Sequence, residues 1–275
     1  MLKITELNLN LKASILLIVF LTLSCDSGKL KVLADLPTSL PEISAVEKFP
    51  NSDVLWVIQD AGNNNHVYGL NTDGKIIRDI TITNAKNEDW EDLTIDNENN
   101  LYIGDFGNND EKRKQFEIYK INPSSETTKV TAEVISFELP KKQKPKDFEA
   151  FVLHNGFFYI FSKETKKFIT LKVPNKPGKH IAEILEEFNL EGKNNRITSA
   201  VISSNGLHLY LLNHDKVWEV SNFNWDAIFK GTIKSHTFNH DSQKEGVCIK
   251  NSNTLYITDE FKKNEGGNLY EFTLQ

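Results

Sequence analysis

Glutamate recurs in this sequence where an ordinary β-strand gains nothing from it. Glu91, Glu149 and Glu245 each precede a small or acidic residue and then an apolar one, in Glu91-Asp92-Leu93, Glu149-Ala150-Phe151 and Glu245-Gly246-Val247. Ser44-Ala45-Val46 and Ser199-Ala200-Val201 repeat the pattern with serine in first place. Gathered together, the three carboxylates repel: at an effective dielectric of about 20 and a separation of about 5 Å, each pair costs about 3 kcal/mol. Either a proton or a cation must relieve that repulsion. A donor set made only of oxygens suits a hard cation, and Ca²⁺ tolerates an irregular shell better than Mg²⁺ does. Ser44, Glu91, Glu149, Ser199 and Glu245 are therefore expected to form a Ca²⁺ ring. The competing reading is that each glutamate caps backbone N–H groups or faces water.

A second group of polar residues follows the repeat. Asp60, Asp89, Asp105, Asp147, Lys163, Glu164, Arg196, His214, Asp259 and Glu260 lie just before the repeated triads or just after the strand that follows them. Beside a bound cation, Asp60, Asp105, Arg196, His214 and Glu260 are candidates for holding a phosphoanhydride and orienting a water. The plainer reading pairs Lys163 and Arg196 with neighbouring acids and leaves His214 in a loop. The other six histidines show no ligand spacing. No nucleophile elbow, P-loop or HExxH motif occurs.

These side chains meet only if the chain is a repeat. The triads recur at intervals of 46 to 58 residues. Each is followed by an aromatic-rich run, as in LWVIQD (55–60), LYIGD (101–105), FYIFSKE (158–164), LYLLNH (209–214) and LYITDE (255–260). Third and fourth strand-like runs, bounded by Asn, Asp and Gly, complete most units. Four strands at a period of about 50 residues predict a β-propeller. The fifth unit has only three strands of its own, and residues 29–36 (KLKVLADL) supply the fourth, closing the ring. The expectation is an all-β, five-bladed β-propeller, four strands per blade, with the last blade closed by the N-terminal strand. A six-bladed ring would need a blade hidden in a gap of at most 58 residues. Residues 180–188 (HIAEILEEF) carry a helical spacing of apolar residues but are read as a fourth strand, because the repeat requires one there.

The order Ser, Glu, Glu, Ser, Glu on five successive blades resembles the calcium-activated nucleotidase (apyrase) family, through ISAV, WEDL, FEAF, TSAV and EGV. That resemblance implies a central Ca²⁺ in a five-bladed propeller, and nucleoside di- and triphosphate hydrolysis. The chain is more compact and has no long family-specific run around the rim. The repeat also resembles segments of bacterial propellers with phytase-like or esterase-like labels.

The 275 residues carry a formal net charge of −6, with 39% hydrophobic and 25% charged residues, ordinary values for a globular chain. No basic stripe marks a nucleic-acid polymer as partner, and residues 141–146, interrupted by prolines, read as a solvated loop. Lys3 and Lys12 precede an apolar stretch at residues 13–23, too short to span a bilayer but right for a signal-peptide core. It ends in LTLSC, which resembles a lipobox with Cys25 as the lipidated residue. A cleaved secretory signal or an uncleaved anchor are the alternatives. Residues 1–24 are read as a lipoprotein signal peptide, 25–28 as a tether and 29–275 as the propeller. Cys248, between Val247 and Ile249, reads as a buried apolar residue. The chain is expected to be a monomer held to a membrane of the bacterial cell envelope through Cys25, at the outer membrane or cell surface. It is expected to be a binding or scaffold module for a small phosphorylated ligand or an envelope partner. Ca²⁺-dependent hydrolysis of phosphate anhydrides or esters is the alternative.

Overall fold

A computed structural model describes residues 29–124, 126–192, 195–262 and 265–274. Cys25 and the signal segment lie outside the described residues. The first strand, β1 (Lys31–Asp35), belongs to the last blade. Blade one is β2 (Ile43–Glu47), β3 (Leu55–Gln59), β4 (His66–Leu70) and β5 (Ile76–Ile82). Blade two is β6 (Trp90–Ile95), β7 (Leu101–Asp105), β8 (Gln115–Ile121) and, after the short β9 (Lys129–Val130), β10 (Glu133–Glu138). Blade three is β11 (Phe148–His154), β12 (Phe157–Ser162), β13 (Phe168–Pro174) and, after β14 (Gly178–Ile181), β15 (Glu183–Phe188). Blade four is β16 (Ser199–Ile202), β17 (His208–Leu212), β18 (Lys216–Ser221) and β19 (Thr232–Thr237). Blade five is β20 (Lys244–Asn251), β21 (Thr254–Asp259) and β22 (Asn268–Thr273), completed by β1.

The ring closes on itself. Each inner strand packs beside the next, from β2 to β6, β11, β16, β20 and back to β2. Five apolar clusters, one at each junction between blades, form the core. This is the five-bladed propeller that the spacing predicts, and β1 pairs antiparallel with β22 as the closure requires.

Residues 180–188 differ from the expectation in detail. The run is neither a helix nor one strand. Gly178–Ile181 pairs in parallel with β10 of the previous blade, and only Glu183–Phe188 serves as the fourth strand of its own. β9 covers the outer edge of β5 in the same way. Two blades thus have their outer edge paired by chain from the next blade, which removes a template for misassembly. Cys248 is fully buried, as its apolar neighbours suggest. Among the described residues, no helix is long and apolar enough to cross a membrane.

Candidate functional site: an acidic channel mouth

The inner strands carry an irregularity where the ring residues stand. In blade one, Ile43 pairs with Gln59 and Ala45 with Ile58, which leaves Ser44 as an extra residue. Glu91, Glu149 and Glu245 are extra residues in the same sense between Trp90 and Asp92, Phe148 and Ala150, and Lys244 and Gly246. A bulge re-aims one side chain out of the strict alternation of a strand. The repeated triad is therefore a repeated bulge, and it turns an oxygen-bearing side chain toward the channel mouth in four blades. In blade four the strand begins at Ser199 itself.

Three of the five ring residues sit among other acids. Glu91 is 5% exposed and Glu149 2%. Carboxylate oxygens of Asp60, Asp89 and Glu91 lie within 4.8 Å of one another, as do those of Glu91, Asp147 and Glu149. Glu245, beside His214 (3.2 Å), adds its field to that of Asp60 on Glu260. The serines are engaged differently. Ser44 Oγ donates to the Trp90 carbonyl (2.8 Å), and Ser199 Oγ to Asp92 Oδ1 (2.8 Å).

Lys163 is the cation set against the buried glutamates, while Arg113 and Lys262 act on the rim acids Asp89 and Glu260. Lys163 Nζ lies 2.8 Å from Glu149 Oε1, an ion pair set among the other acids. Burial opposes the charge on Lys163, but Glu149, Glu245 and Glu91 outweigh it and push its pKa up. A single lysine does not balance the group. Burial, then Glu149, Asp60 and Asp89, push the Glu91 carboxyl far above its ordinary range. Burial and Asp60 bring Asp89 up to about 7, and burial with Glu245 brings Glu260 up to about 7. Burial and mutual repulsion therefore favour protons, or a cation in their place, at the mouth.

The loop after β7 is shaped to this cluster. A Cβ on Gly107 would sit 2.1 Å from Glu91 Oε1 and 2.4 Å from Asp89 Cγ. Only glycine lets that backbone lie over the carboxylates. Asn108 N–H then donates to Asp147 Oδ1 (2.7 Å), tying the loop to the next blade. The donor set, all oxygen with separations below 5 Å, fits a cation whose metal–oxygen distance is about 2.3–2.6 Å.

The other rim candidates divide. Asp60, His214 and Glu260 face the mouth. Asp105 does not: its carboxylate takes Arg113 Nη1 at 2.7 Å and the Asp89 N–H at 3.1 Å, and braces its own blade. Asp259 is similarly spent on Ser242, Tyr270 and the Asn268 N–H. Arg196 is exposed on the approach to β16, with no acid of the described residues paired to it.

Asp92 is the polar residue the ring pattern understates. It is fully buried, and it accepts from Phe151 N–H (3.0 Å), Ala200 N–H (3.2 Å) and Ser199 Oγ (2.8 Å). It thus pins blade two to blades three and four across the channel. Burial pushes its pKa well up, and these donors pull it back. The signal was present: at the same place in the triad the other blades have Ala45, Ala150, Ala200 and Gly246, small residues that leave room for one carboxylate.

The family model described as SdiA-regulated matches residues 31–263. No curated protein matches the chain. Among solved structures, the PQQ-bound aldose sugar dehydrogenase of Streptomyces coelicolor is similar at 7% identity, with 89% of this chain and 97% of that chain covered and a TM-score of 0.51. A luciferin-regenerating enzyme is similar at 13% identity, with 84% and 77% covered and a TM-score of 0.50. At such identities the likeness is one of fold alone. The matching model is a different family from the calcium-activated nucleotidases, whose resemblance rests on the ring order. With that match running from β1 through β21, over most of the chain, the chain belongs to the SdiA-regulated family.

Proposed function

We propose that the chain is a binding module of the cell envelope whose acidic channel mouth takes a hard divalent cation, Ca²⁺ before Mg²⁺. One observation carries this reading. Glu91 is buried, its neighbours are the carboxyls of Asp60, Asp89, Asp147 and Glu149 with Lys163, and no amide or hydroxyl of the described residues donates to it. A carboxylate used as a strand cap would have donors, as Asp92 and Asp105 do. The cation would supply charge that lets these acids ionise together and would hold the blades at the mouth in one arrangement.

A ligand bound only by the folded state adds about 2.7 kcal/mol at a hundredfold excess over its dissociation constant. For a chain of this size that is a rise in Tm of about 5–10 °C with Ca²⁺, reversed by chelator. Glu91→Gln should lose most of this rise, and in chelator it should melt above the wild type, because it deletes a repelling charge. Equal destabilisation of Glu91→Gln in Ca²⁺ and in chelator would show that Glu91 is structural.

A second reading has one observation in its favour. Asp89 and Glu260 are only partly buried, titrate near neutrality and flank the mouth, as acid–base groups for cleaving a phosphate anhydride or ester would. Phosphate release from a panel of nucleotides with and without Ca²⁺ tests it, and no Ca²⁺-dependent release ends it. Anchoring through Cys25 is part of the first reading, and retention of a correctly processed Cys25→Ala protein in the membrane fraction would count against it.

A further inference from the structure

The other end of the channel is a funnel of about 1250 Å³. It is walled by the ends of the inner strands and their hairpins, from Glu47, Thr94–Glu98, residues 153–156, residues 201–205 and residues 249–253. The ring glutamates stand at the starts of those same strands, three to five residues earlier. At about 3.3 Å per residue the two sites are separated by about 10–17 Å of packed channel.

Most charges facing the funnel are already matched. Asp96 accepts from Glu98 N–H, Asn100 N–H, the Asn100 side-chain amide and Tyr102 Oη, all at 2.7–2.9 Å. Glu219 is held between His208 (2.8 Å) and His236 (2.9 Å). Lys120 pairs with Glu133 at 3.9 Å, Lys250 with Glu271, and Lys234 stands directly across the ladder from Glu219. Lys48 Nζ donates to the Phe49 carbonyl. Glu98 is the exception, an exposed acid at the lip with no cation paired to it among the described residues, so no buried charge is left to select an ion.

Three buried residues of the wall carry a polar group without a side-chain partner among the described residues: Thr94, Tyr210 and Glu47. Tyr210, 5% exposed, lines the funnel, and its hydroxyl bonds to no described residue. Glu47, 4% exposed, also lines it, and its carboxyl takes only the N–H of Lys48. Burial lifts this carboxyl to about 8, so at neutral pH it offers a proton as well as a lone pair. A hydroxyl and a carboxylic acid both donate and accept, and they suit a partner that does the same. The remaining wall mixes Asn and Ser from the hairpins with Ile95, Leu153, Val201, Ile202 and Ile249, so polar edges and apolar faces alternate around it. The volume exceeds the about 300–1,000 Å³ of a site for a drug-sized molecule.

We propose that the funnel is a second binding site, for a neutral, hydroxyl-rich ligand of the oligosaccharide class, gripped by the Tyr210 hydroxyl and the Glu47 carboxyl. The site is independent of the acidic mouth. The test is calorimetric titration of the full-length chain with maltotetraose, cellotetraose and chitotetraose, alongside triglycine, pyrophosphate and spermine. At least one tetrasaccharide should saturate a single site at millimolar concentration or below. Tyr210→Phe, which keeps the ring in the core, should weaken it about tenfold, the worth of one hydrogen bond of about 1.4 kcal/mol. Glu47→Gln should weaken it less, and Asp89→Asn at the opposite mouth should leave it unchanged. The proposal is overturned if no tetrasaccharide saturates, if folded Tyr210→Phe and Glu47→Gln both bind as the wild type does, or if triglycine, pyrophosphate or spermine binds more tightly than every tetrasaccharide.

Discussion

The two ends of the channel are built from the same five strands and treat charge in opposite ways. At the mouth, carboxyls face carboxyls, and Lys163 is the one lysine or arginine of the described residues set against the buried glutamates. At the funnel, Asp96 and Glu219 are saturated with donors and the lysines are matched. The mouth therefore stores electrostatic repulsion that a cation or protons must relieve, while the funnel is settled. Between them lies the plug, where Asp92 spends every oxygen on backbone and hydroxyl donors from two other blades. Burial of an acid is thus not diagnostic by itself; what distinguishes a binding carboxylate from a structural one is whether donors reach it.

That contrast can be attacked at the plug first. Asp92→Ala strips three donors of their acceptor and leaves a void on the axis. We expect a loss of about 3–5 kcal/mol in denaturant unfolding. Both ends should suffer together, with the Ca²⁺ response and the funnel titration both weakened. A loss under about 1 kcal/mol would mean that the blades do not need this bridge.

Gly107→Ala acts on one end only. The new Cβ collides with Glu91 and Asp89, and overpacking of this kind costs about 1–3 kcal/mol. The Ca²⁺-induced rise in Tm should shrink, and tetrasaccharide binding should not change. A wild-type Ca²⁺ response in Gly107→Ala would place the cation away from the Glu91 cluster.

The smallest effect is the dependence of stability on pH, and it sorts the two ends by window. A carboxyl raised in the folded state keeps a proton that the unfolded chain has lost. Its stabilising contribution is complete below the unfolded pKa and disappears as pH rises through the folded one. In chelator, Asp89 and Glu260 should make stability fall between about pH 4 and 7, and Glu47 should extend the fall to about 8. Saturating Ca²⁺ should lessen the slope below about pH 7, where Glu47 still contributes, and leave the fall between about 7 and 8. Glu47→Gln should remove the fall between about pH 7 and 8 and lessen the slope below it. Melting temperatures across pH with and without Ca²⁺ read both, and a single slope that Ca²⁺ abolishes throughout would make the ends one electrostatic unit.

Much of this was legible in residues and spacing, and the limits have physical causes. The five triads and the orphan strand at residues 29–36 led to the blade count and the closure, because a repeat must bury the same face each time. Residues 180–188 were harder. A strand's partner is chosen by what lies beside it in space, and nothing local says that Gly178–Ile181 pairs with β10 while Glu183–Phe188 pairs with β13. Asp105 looked equivalent to Asp60 and was not, since Arg113 reaches it from the loop before β8. Asp92 was passed over as the variable middle of a triad, although four small residues at that place announced a space to fill. The funnel had no signature, because its walls are hairpin residues that read as turns.

The pairing of β1 with β22 has a consequence for how the chain is made. Lys31 and Glu271, which meet across that ladder, are 240 residues apart. A chain emerging from its N-terminus makes β1 first and can use it last. Entropy alone is lenient here, since the cost of closing a loop grows only with the logarithm of its length. Time is less so: until Asn268–Thr273 arrive, β1 is a loose strand and the growing protein is an open arc with sticky ends, the kind of intermediate that pairs with its neighbours. Whatever guards the nascent chain must therefore guard it through to the last strand, and a truncation in β22 should be as harmful as one in β1.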